Sequence, residues 1–122
     1  MGETVLSGLQ TPEARRAVAE ALLALFRRWG VGEARQSALL GLETLEPLWA
    51  GEPLPQRREV LERAGHLLAV DRRLQVLFPD DPVLREDWAG FPNSALDGRS
   101  PLAVTEEGLA GNRAIRDLLE AA

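Results

Sequence analysis

Glycine and proline cut this 122-residue chain into pieces of helical length, and that punctuation limits what it can fold into. Thr11-Pro12-Glu13 supplies an N-cap hydroxyl, a proline preset for the first helical turn and an acid that suits the N-terminal dipole. Val18, Leu22, Leu25, Phe26 and Trp29 follow at spacings of three and four, one apolar stripe that stops at Gly30. Residues 34–40 predict a shorter helix ending at Gly41. Thr44 is the expected cap of a third, holding Leu45, Leu48 and Trp49 up to Gly51; Pro47 is tolerable there only in the first turn. The stiff Glu52-Pro53-Leu54-Pro55 break precedes the longest expected helix, 55–78, with Val60, Ala64, Leu67, Leu68, Leu74, Leu77 and Phe78 along its stripe. Pro79-Asp80-Asp81-Pro82 ends it and caps a helix over 83–89. A short helix from Pro101 and a last one over 113–121 complete the chain, with Asn112 as the expected cap and Ile115, Leu118 and Leu119 as the apolar face. No segment has the period of a strand, so the predicted class is all-α, as two helical lobes, 1–54 and 55–122. Residues 1–10 have no strong period and read as a loose tail.

Charge is distributed unevenly. The net charge is −5, which argues against a chain that simply coats nucleic acid. All 14 basic residues are Arg. Residues 11–35 and 57–78 are rich in Arg, residues 36–56 hold three Glu and no base, and residues 79–122 carry nine acids against four Arg. With no Cys, disulfides and thiolate metal sites are excluded, which fits a reducing cytosol. No run of 18 apolar residues and no basic-then-apolar leader pattern are present, so a cytoplasmic chain without a membrane span is expected.

The stretch W-A-G-F-P-N-S-A-L-D-G-R-S-P-L, residues 88–102, is the most informative for function. Gly90 is expected to end a Trp88-bearing helix in a left-handed conformation. Pro92-Asn93 and Asp97-Gly98 are turn pairs, and Ser100-Pro101 is a helix start. A Trp, a Phe and two Leu in a loop so rich in turn residues predict a loop packed onto a core, with Trp88 and Leu102 buried.

Trp88, Pro92, Asn93, Ala95, Leu96, Gly98, Arg99, Ser100, Pro101 and Leu102 together resemble the signature of the toxin-binding domain of Xre/MbcA/ParS-type antitoxins. The segment L-L-A-V-D-R-R-L-Q-V-L-F-P is similar to that family's central helix. L-F-R-R-W-G, A-L-L-G-L and W-A-G resemble its Xre-like helix-turn-helix, so the resemblance spans roughly residues 15–122. It implies a helix-turn-helix lobe over 1–54 and a toxin-binding lobe over 55–122. It also implies a homodimer whose C-terminal end covers the active site of a RES-type, NAD-consuming toxin. Such inhibition is steric and needs no cofactor or metal. The residues this assigns to toxin binding are Arg99, Asn112, Arg113, Arg116, Asp117 and Glu120.

Each assignment has a plainer structural alternative. Arg99 either meets a partner carboxylate or stays within the fold, on helix carbonyls or an acid such as Asp87. The last helix either docks on a partner or merely closes the core. Trp29, Trp49 and Trp88 read as core anchors, and His66 as a packed or rim residue beside the long stripe. One His, no Cys and no Tyr leave no catalytic triad or His-based metal site; Gly108-x-x-Gly111 lacks the strand and Lys of a phosphate loop. The chain does not read as an enzyme. For DNA, the would-be reading helix offers Glu43, Thr44, Glu46 and Pro47, and acids repel a polyanion. Repression of its own operon, the alternative function, would then rest on Arg15, Arg16, Arg27, Arg28 or Arg35 against phosphates, or the helix-turn-helix is scaffold only.

Overall fold

A computed structural model describes residues 8–122. Among them are seven α-helices and no strand: α1 Pro12–Trp29, α2 Glu33–Leu40, α3 Glu46–Trp49, α4 Arg58–Leu77, α5 Pro82–Asp87, α6 Pro101–Thr105 and α7 Leu109–Ala121. Two 3-10 turns, Trp88–Gly90 and Ser94–Leu96, lie between α5 and α6. The all-α class is therefore correct. No helix of the described residues is long and apolar enough to cross a membrane. The chain divides into two compact units, Met1–Gly65 and His66–Ala122, with the division inside α4 rather than at the Glu52–Pro55 break.

Helix ends follow local chemistry closely. Thr11 Oγ1 accepts from the Ala14 N–H at 3.1 Å, and Gly30 and Gly41 close α1 and α2 in left-handed conformations (φ 67° and 73°). Asp81 caps α5 through Leu84 N–H, and Ser100 caps α6 through Ala103 N–H. Thr44 Oγ1 accepts from Glu46 N–H, although the residue that opens α3 is Leu45.

In the first unit, Leu22, Leu25 and Phe26 of α1 are fully enclosed with Leu39, Leu40, Leu45, Leu54 and Val60. Burying a side chain such as Phe26 stabilises the fold by roughly 2–3 kcal/mol. Trp29 joins this core, but Trp49 is 50% exposed: α3 is one turn long, and Leu45 and Leu48 take its inward face. Of the expected tail, residues 1–7 lie outside the described residues, whereas Leu9 is buried. Arg15 explains why. Its guanidinium donates to the carbonyls of Leu9 (3.0 Å), Gln10 (2.9 Å) and Leu54 (3.0 Å), and its own carbonyl accepts from Leu54 N–H. That clamp holds Leu54 outside any helix, and α4 starts at Arg58 instead of residue 55.

In the second unit, Leu67, Val70 and Leu74 of α4 are buried, as are Ala89, Leu102, Val104, Ile115 and Leu119. Leu68, Leu77 and Phe78, expected on the same stripe, are only half-buried. α6 packs on α7 and on the 3-10 turn at Trp88–Gly90. The last helix begins at Leu109, not Arg113. Asn112, expected to cap it, lies inside it at 1% exposure and donates Nδ2–H to Gly108 O at 2.7 Å.

Candidate functional site

The residues over 88–102 build one closed loop, and Asn93 is its hub. Its Oδ1 accepts from Ala95 N–H (2.9 Å), its N–H donates to Arg99 O (3.0 Å), and its carbonyl accepts from Gly98 N–H (3.0 Å). Asp97 (φ 57°) and Gly98 (φ 82°) are consecutive left-handed residues that reverse the chain inside that ring. Asp tolerates this conformation better than most residues, and Gly adopts it at little cost. Ser100 and Pro101 then launch α6, with Pro101 and Leu102 buried.

The packing of this loop differs from the expectation in three respects. Trp88 is half-buried, and Phe91 is 57% exposed in extended backbone. Gly90 has no positive φ; it ends a 3-10 turn, whose tighter winding closes the segment without a left-handed cap. The deep anchors are Ala89 and Leu102 at either end, so the middle of the loop stands out as surface.

Arg99 stays within the fold. It pairs with Glu107 at 2.9 Å and reaches Ala103 O at 3.4 Å, linking the loop to the far end of α6. Sequence proximity points to Asp87 as its acid and conceals Glu107, because α6 folds the chain back before presenting it. Both side chains remain about half exposed, 46% and 56%, so the pair sits on the surface.

α7 is strongly two-faced. Gly111, Asn112, Ile115 and Leu119 are buried, Leu118 is half-buried, and Arg113, Arg116, Asp117 and Glu120 are exposed. The structure thus brings four of the six expected toxin-binding residues onto one exposed face, adds Arg99 at the loop, and places Asn112 inside. Arg116 Nη1 lies 3.4 Å from His66 Nδ1, a neighbour from α4 that spacing does not reveal. His66 is half-buried, as expected of a rim residue.

The arginines of the first unit divide by role. Arg15 is 8% exposed and spent on backbone carbonyls, so it is unable to reach a phosphate. Arg16 donates to Gly51 O at 2.9 Å from an exposed position. Arg27, Arg28 and Arg35 are exposed. Arg57 and Arg63 donate to Gly41 O and Ala38 O at the C-terminal end of α2, where Ala38 O also accepts the Gly41 N–H. A branched planar cation suits such clamps better than an ammonium, which gives the all-Arg composition a structural reason. Compared with known proteins, the chain matches no family model and no curated protein.

Proposed function

We propose that this chain is the antitoxin of a toxin-antitoxin pair. In this reading it is a homodimer with an Xre-like helix-turn-helix in its first half, and it neutralises a RES-type, NAD-consuming toxin by covering the active site. The observation that carries the reading is the closed Asn93 loop leading through Ser100-Pro101 into α6 and the two-faced α7. The ten residues that resemble the antitoxin signature are those that shape this unit, and α7 presents Arg113, Arg116, Asp117 and Glu120 outward. A helix fixed by Ile115 and Leu119 and charged on its outer face suits occlusion of a polar cleft. No chemistry is asked of the chain itself. A second reading, repression of its own operon, is favoured only by the exposed Arg27, Arg28 and Arg35.

The test mixes the full chain with the product of the reading frame beside its own and follows NAD consumption. Inhibition at stoichiometric amounts is expected, and R113E/D117R should abolish it with unchanged thermal unfolding. Undiminished NAD consumption in saturating chain overturns the reading. Deleting residues 112–122 is the poorer test, because it removes Ile115 and Leu119 from the core.

A further inference from the structure

A groove of about 230 Å³ runs between the second half of α4 and the end of α7. Arg72, Arg73 and Arg116 line it, Glu120 is the one acid among its lining residues, and Val70 and Leu119 supply apolar wall. Three arginines around one small concavity raise the local positive potential, which an anion would relieve. Part of the arrangement is structural: Arg73 gives its Nε–H to Leu119 O at 3.3 Å, closing the C-terminal end of α7. That uses one of five donors on a planar fork. Arg116 also lines the groove, with its Nη1 3.4 Å from His66 Nδ1. Arg72 is exposed on α4, one residue before Arg73. The unit as a whole is acidic, with ten acids against six Arg over residues 66–122, and three of those six Arg line this groove.

We infer that this groove binds a phosphate monoester attached to a small ring, a ligand of nucleoside-monophosphate class. Phosphate takes two parallel N–H bonds from a guanidinium, so a groove lined by three arginines favours it. The apolar wall of Val70 and Leu119 then takes the face of the attached ring. The volume lies below the usual range for whole drug-sized ligands, so the groove encloses about the phosphate and one ring of such a ligand and leaves the rest at its mouth. Glu120 sits at the same groove and selects against a ligand with further negative charge. The groove shares Arg116 and Glu120 with the face proposed for the toxin, but the binding is a property of the chain alone.

The test is calorimetric titration of the full chain with AMP and, separately, with inorganic phosphate, at low ionic strength. AMP should bind saturably at one site and more tightly than phosphate. R72Q, an exposed position, should weaken AMP about tenfold, as removal of one charge-assisted hydrogen bond implies, while R99Q should leave it unchanged. Absence of saturable AMP binding, equal affinity for phosphate and AMP, or an R72Q variant indistinguishable from the parent each overturns the inference. Saturable binding of an acidic peptide by a chain that ignores AMP overturns it as well and marks the groove as a protein contact.

Discussion

Gly111 of α7 lies so close to Val104 of α6 that a Cβ added there would overlap the Val104 carbonyl oxygen and stand 2.9 Å from its carbonyl carbon. A glycine normally weakens a helix interior by about 1 kcal/mol relative to alanine. Here the propensity gain of an alanine is outweighed, because backbone does not move aside as a flexible side chain does. G111A should therefore destabilise the fold by roughly 1–3 kcal/mol, the usual cost of overpacking. G90A, where an added Cβ meets nothing within 4 Å and φ is not positive, should be close to neutral. Urea denaturation of the two variants checks the contrast; equal midpoints would mean that α6 and α7 are free to separate.

That close approach also explains what the sequence hides. Gly108-x-x-Gly111 reads as loop, and Asn112 as the cap of whatever follows, because nothing local says that a glycine is wanted for close approach. The helix runs through both Gly111 and Asn112 because α6 supplies the opposing surface. Where a helix end is decided by its own residues, as at Thr11, Gly30, Gly41, Asp81 and Ser100, it is legible. Burial on short elements is not: Trp49 and Phe91 look like anchors until the one-turn α3 and the extended Phe91 backbone turn them outward. Arg15 looks like a surface cation because its carbonyl partner Leu54 is 39 residues away. At the candidate site, the loop's turns are legible in Asn93, Asp97 and Gly98, whereas the Arg99–Glu107 pair depends on where α6 ends.

Arg15 should behave as a core residue. Replacing it by Met leaves the carbonyls of Leu9, Gln10 and Leu54 without their donor, at an expected cost of about 2–4 kcal/mol. R15K should recover little of this, since an ammonium does not span three carbonyls as a guanidinium fork does. R27Q, at an exposed position, should unfold within about 0.5 kcal/mol of the parent. Chemical denaturation decides it; an R15M chain as stable as R27Q would show that the clamp does not hold the first unit together.

The signature loop offers a graded series. Leu102 is 4% exposed, so L102A should cost about 2–5 kcal/mol, whereas F91A, at a 57% exposed position, should cost little. G98A adds a side chain at φ 82° with open space around it, so only backbone strain of about 1 kcal/mol is expected. The melting temperature should be lowest for L102A, higher for G98A and highest for F91A. If F91A still abolished toxin neutralisation while melting like the parent, Phe91 would be a contact residue of the proposed complex. A melting temperature lowered as far in F91A as in L102A would contradict its exposed placement.

DNA binding by the chain alone should be weak, and salt should govern what there is. The segment where a reading helix is expected is α3, one turn long, with Leu45 and Leu48 turned inward and Glu43 and Glu46 exposed. No base lies anywhere in residues 36–56, so nothing in that stretch reaches a phosphate or a guanine edge with a cation. Arg15 is withdrawn by its clamp, which leaves exposed cations such as Arg27, Arg28 and Arg35 on α1 and α2 to meet the DNA backbone. Removing one arginine from a phosphate should lower the slope of affinity against salt by about one in a log-log plot. Gel-shift titration with the chain's own promoter, at two salt concentrations, should show binding that R27Q/R28Q weakens equally on promoter and unrelated DNA. Tight, promoter-selective binding by the isolated chain near physiological salt would reverse the order of the two functional readings, because it would require base contacts that α3 does not supply.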